Sequence, residues 1–203
     1  MGSGYLFDAA EKLRNASNFY FSSEELSKCV LKHAAAAAVA SMASGVLPGA
    51  GAVIAGTITT GAVWAMYIKM SNIIGVKLEK KTLKVIASAV LSNLAVNAVG
   101  MFVLSFIPGV SIIGCGFTAF ASLYASAIVF LTCLTRIFKG MRSDLDDAEW
   151  KSAVNDAIRN MDLKSIIKEG RGLFSQMRSS GELNRQASNV DIDPSDDEDY
   201  EEY

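Results

Sequence analysis

The sequence predicts an all-α fold: an integral membrane bundle of two helical hairpins, four apolar helices in total, with amphipathic helices flanking it. Three observations predict it. Residues 33–68 and residues 85–135 of the 203-residue chain contain no Asp, Glu, Lys or Arg. Near the middle of each uncharged stretch stands a Pro-Gly pair, Pro48-Gly49 and Pro108-Gly109. Proline ends a helix and glycine lets the backbone turn, so each stretch reads as helix, bend and returning helix. Finally, the bases collect at the edges of these stretches: Lys28 and Lys32, then Lys69, Lys77, Lys80, Lys81 and Lys84, then Arg136, Lys139 and Arg142.

Taken in order, residues 1–25 form an N-terminal amphipathic segment, with Tyr5, Leu6, Ala9, Leu13, Phe19 and Phe21 partly on one helical face. Ser22-Ser23-Glu24-Glu25 then caps a new helix, its acids placed where they complement the helix dipole. The membrane domain, residues 26–142, opens with an alanine-rich arm. Its fifteen residues from His33 to Leu47 measure about 22 Å at the helical rise, short of the ~30 Å hydrocarbon core. The expectation is an inner helix, packed closely through its small side chains.

The second arm carries Gly56 and Gly61 as helix-packing notches. It ends with Trp64 and Tyr67 a turn before Lys69, a pattern that suits a membrane interface, with Arg136 in the matching place after the last arm. Gly75 is a candidate C-cap. The third arm, residues 85–107, is about 34 Å long and spans. Its Asn93 and Asn97 lie four apart on one face, directed at a partner helix. The fourth arm, residues 110–135, also spans and carries Gly116 as a packing position.

Residues 143–180 form cytoplasmic amphipathic helices, the first beginning at Ser143-Asp144 with Trp150, Val154, Ala157, Ile158 and Met161 at helical spacing, the second covering residues 163–177. Residues 181–203 form a disordered acidic tail. The last thirteen residues hold eight acids and no base, which leaves 13 acids against 19 bases elsewhere. Because the bases flank apolar stretches and are not interleaved with aromatics, they suit an anionic bilayer surface and no nucleic acid is expected.

Both bends are uncharged and every basic segment falls between or outside the hairpins. Two crossings out and back therefore leave both termini on the cytoplasmic side by the positive-inside rule; a re-entrant first hairpin gives the same charge pattern. The rival architecture is a soluble bundle with a buried central hairpin. Against it stands the difficulty of hiding a fifty-one-residue uncharged stretch in a chain of this size.

The chemistry-bearing residues are few. His33 is the one histidine, beside the poly-alanine run, and Cys29, Cys115 and Cys133 show no C-x-x-C spacing, so packing roles are expected and neither a disulfide framework nor a metal site. No G-x-x-x-x-G-K-[ST], G-x-S-x-G or H-E-x-x-H occurs. No cofactor and no enzymatic activity are expected.

The run Leu47-Pro48-Gly49-Ala50-Gly51-Ala52, continuing through Met66-Tyr67-Ile68-Lys69-Met70-Ser71-Asn72-Ile73-Ile74-Gly75-Val76, resembles the hairpin core of the YcjF-like membrane family. That family has a proline-containing bend, a helix ending in a Met-x-x-x-Ile-type segment and a closing Gly-Val. The similarity covers residues 30–140 and rests on composition and bend placement. In the family the unit occurs alone or behind a GTPase domain, which implies a membrane-associated partner or effector of a GTPase. The GTPase domain is lacking here and the acidic tail is added. The expected function is a non-enzymatic integral membrane scaffold or adaptor that recruits a cytoplasmic protein partner, which the resemblance implies to be a GTPase. The alternative is an oligomeric pore, channel or membrane-perturbing effector, in which copies of the chain assemble and the Asn93/Asn97 stripe lines the path.

Overall fold

The computed structural model describes residues 23–44, 51–76, 78–102, 110–139 and 145–188. The two Pro-Gly bends, the first amphipathic segment up to residue 22 and the acidic residues 189–203 lie outside the described residues. The described chain is all-helical. Its elements are α1 (Ser23–Ser44), α2 (Gly51–Ile74), α3 (Lys80–Phe102), α4 (Val110–Lys139), α5 (Asp147–Arg159), α6 (Leu163–Ser179) and α7 (Glu182–Ala187).

α1 begins with Glu24 and Glu25 in its first turn, and Glu24 pairs with Lys28 at 2.7 Å one turn on. Alanine holds the helix together by propensity, and its lack of bulk decides the packing. Residues 34–38 are all buried, which lets α2, α4 and α7 close around α1. α2 ends on Gly75, whose φ of 71° would strain any L residue. There the Val76 amide donates to the Ser71 carbonyl and the Gly75 amide to that of Asn72, which closes the helix in a Schellman motif.

α3 starts at Lys80, five residues before the expected arm, because lysines are good helix formers when their heads reach solvent. Lys81 pairs with Asp147 at 3.3 Å and the Lys84 ammonium lies 5.6 Å from the Trp64 ring centre.

α4 is the spine: it touches α1, α2, α3, α5 and α6. Its segment Ile112–Ile137, with a mean hydropathy of 1.9, is long and apolar enough to cross a membrane. It is the one such helix among the described residues, where the sequence predicts four apolar membrane helices. Of its most apolar window, 78% is already buried inside the bundle.

α5 starts later than expected, at Asp147. Asp146 caps it in a reciprocal capping box: the Glu149 amide donates to the Asp146 carboxylate at 2.8 Å and the Asp146 amide to the Glu149 carboxylate at 3.0 Å. The amphipathic helices expected within residues 143–180 pack their apolar faces on the hairpin helices. Trp150, Val154 and Ala157 of α5, Leu163, Ile166, Leu173, Phe174 and Met177 of α6, and Leu183 of α7 belong to the same core cluster as the hairpin helices. α7 is helical at Glu182–Ala187, residues that the sequence reading places in the acidic tail. Gly181 turns the chain at φ 74° and Leu183 anchors the short helix in the core.

Candidate functional site

The predicted site residues separate into three groups. Gly116, Asn93, Tyr67 and Arg136 make contacts between helices of the bundle, Arg136 from an exposed position. A Cβ added at Gly116 would run into the Met42 side chain and come within 2.9 Å of the Ala38 carbonyl oxygen, so glycine allows the last turns of α1 to meet the first turns of α4. The Asn93 amide donates to Ala89 in its own helix at 2.8 Å and to the Asn155 side chain at 3.0 Å, tying α3 to α5. Asn97 lies on α3, with its side chain outside those described.

Tyr67, expected at an interface, is fully buried. Its ring stacks on Phe130 at 4.2 Å and its hydroxyl donates to the Ser126 carbonyl at 3.0 Å, a backbone acceptor that replaces water. The Arg136 guanidinium donates to the Asp156 carbonyl at 2.9 Å in the last turn of α5, as a base does at a helix C-terminus.

The second group lies on the outside of α2. Ile54, Gly56, Thr57, Thr60 and Gly61 are exposed, Trp64 is half-buried, and Lys69 marks the end of the uncharged face. Nothing lies within 4 Å of a Cβ added at Gly56 or Gly61, so neither is a notch within this bundle. The Thr59 and Thr60 hydroxyls donate back to the Ala55 and Gly56 carbonyls at 2.7 and 2.9 Å, which leaves this face with internally satisfied hydroxyls. Among the described residues the large hydrophobics that stay exposed are Ile54 (37%) and Ile113 (39%). Each is the fourth residue of the helix that leaves a bend segment, and the Gly116 contact brings the bend-side ends of the two hairpins together. The third group, Pro48, Gly49, Pro108 and Gly109, lies outside the described residues.

Sequence reasoning missed two features. His33 is buried at 2% exposure in the middle of the packing. Its Nδ1–H donates to the Cys29 carbonyl at 2.7 Å, while Nε2 is buried with no partner among the described residues. Beside it, burial pushes the Cys29 thiol up to about 11, against the weaker opposing pull of Lys69 and Lys32. That suits packing better than nucleophilic chemistry. The second feature is a cleft of about 450 Å³ between α4 and α6, lined by Ile113, Phe117, Phe174, Ser175, Arg178 and Ser179. No signal in the sequence joins these two segments.

α6 sits on α4 through Gly170, where an added Cβ would lie 3.1 Å from the Ala121 Cα and 3.2 Å from the Tyr124 ring. Beside this contact Tyr124 donates to Glu169 at 3.1 Å, and Phe174 packs edge-on against Phe117 and Phe120. No protein-family model, curated protein or solved structure matches the chain. Its function is read from these surfaces.

Proposed function

We propose that the protein is a non-enzymatic membrane scaffold. The hairpins enter the bilayer by their bend ends and the outer face of α2, both termini stay on the cytoplasmic side, and the charged faces of α5 to α7 together with the acidic C-terminal segment recruit a cytoplasmic protein. By the family resemblance of residues 47–76 that partner is a GTPase. The observation that carries this reading is the placement of exposed apolar surface: Ile54 and Ile113 mark one end of the bundle, continuous with an α2 face that is uncharged as far as Ile68. Hydroxyls that bond within their own helix suit such a face to lipid, where an unsatisfied polar group costs several kcal/mol.

Alkaline carbonate extraction tests the membrane half. The expected result is retention in the membrane pellet, and Ile54→Asp with Ile113→Asp is expected to release the protein. Release of the unaltered protein into the supernatant refutes the reading. For the partner half, truncation after Ser188 keeps α7 and its buried Leu183. It is expected to abolish co-purification of the partner without changing membrane retention, and unchanged co-purification would remove the acidic segment from the account.

A further inference from the structure

We propose that the cleft between α4 and α6 is a binding site for an anionic phospholipid, its acyl chain against Ile113, Phe117 and Phe174 and its phosphate at Arg178. The inference rests on the membrane reading for the source of the lipid and on the cleft's own chemistry for its identity. The floor is apolar: two phenylalanine rings meet edge to face at 5.7 Å, and Ile113 is left exposed beside them. The rim is cationic. Arg178 lines the cleft, and its guanidinium has no ion-pair or hydrogen-bond partner among the described residues. Arg171, two helical turns earlier on the same face of α6, holds its guanidinium 5.0 Å from the Phe117 ring centre.

Ser175 and Ser179 also line the rim beside Arg178, the Ser179 hydroxyl donating to the Gln176 carbonyl at 3.0 Å within its own helix. An apolar trough that ends in a free guanidinium is complementary to an amphiphile with one acidic head, and guanidinium–phosphate pairs are among the stronger charge-assisted hydrogen bonds. The volume of about 450 Å³ falls in the range of small-ligand pockets and accommodates part of one chain and its head. The cleft also opens at the bend end of α4, the end that the membrane reading directs at lipid.

The test uses the full chain with Ile113→Trp as a local reporter. It is titrated with dihexanoyl phosphatidylglycerol or dihexanoyl phosphatidylcholine below their micellar concentrations, so that no bilayer is needed. The expected result is a saturable fluorescence change with phosphatidylglycerol. Affinity should fall by at least about tenfold in Arg178→Ala, the loss of one charge-assisted bond, and little in the charge-matched control Arg159→Ala on α5.

Equal responses to the two lipids, equal effects of the two arginine substitutions, or no saturable response would each overturn the proposal. A response that appears only after truncation at Ser188 would assign the cleft to the chain's own acidic segment and would overturn it as well. Carbonate extraction of the same variants reports on the membrane reading separately: retained protein with a silent cleft refutes the lipid site alone.

Discussion

Gly170 and Gly172 provide an internally controlled test of where α6 belongs. They lie two residues apart in one helix, and alanine at either gains about 1 kcal/mol of helix propensity over glycine. Their surroundings differ. A Cβ at 172 meets nothing within 4 Å, whereas at 170 it lies 3.1 Å from the Ala121 Cα, 3.2 Å from Tyr124 Cδ1 and 3.4 Å from Tyr124 Cβ. The first of these is backbone, and the ring is held by its bond to Glu169, so relief requires α6 to move off α4. Overpacking of this kind costs about 1–3 kcal/mol.

Gly172→Ala should therefore stabilise the protein by about 1 kcal/mol and Gly170→Ala should be neutral or destabilising by up to about 2 kcal/mol. The difference between them, about 1–3 kcal/mol, is free of the propensity term because that term cancels. Equilibrium urea unfolding followed by far-ultraviolet circular dichroism, both variants in one medium, measures it. Equal stabilisation by the two alanines would show that α6 stands away from α4 as an independent amphipathic helix, and would refute the packing described above.

Tyr67→Phe keeps the stack on Phe130 and removes the hydroxyl bonded to Ser126, so a loss of about 0.5–1.5 kcal/mol is expected in the same unfolding assay, with no change in membrane retention. If retention falls instead, Tyr67 is acting at an interface. A double-mutant cycle of Asn93→Ala and Asn155→Ala should give a coupling of about 0.5–1.5 kcal/mol, and additivity would mean that the two amides do not meet. Cys29 titrates at about 11 in the folded protein, so thiolate-dependent alkylation should be slow at pH 8 and accelerate towards pH 11. Because the folded value is raised above the unfolded one, the thiol's contribution to stability is intact below the ordinary thiol range and is lost as pH rises through about 11. Rapid labelling at pH 8 without unfolding would refute its burial.

The sequence by itself determined the helices: the uncharged runs, the capping acids of α1 and the glycine that closes α2 are local features, and local propensity and hydrogen bonding suffice to place them. Where it erred locally, at the starts of α3 and α5 and in α7, the deciding signals were short-range but ambiguous, such as lysines that serve a helix as well as a loop. Only the tertiary structure decided which faces meet. Gly116 and Gly56 look alike in sequence, yet the first is closed against α1 and the second is open. Tyr67 and Trp64 form one aromatic pair in sequence, yet the first is sealed against Phe130 and the second remains half-buried under Lys84.

The same holds for α6, whose charged outer face reads as a solvated helix while Gly170 and Phe174 dock it along α4 and form the cleft with Ile113 and Phe117. Periodicity reveals that a helix has an apolar face, but which neighbour covers that face depends on contacts between residues tens of positions apart. That information resides in the complementarity of the surfaces, which no single stretch of the chain contains.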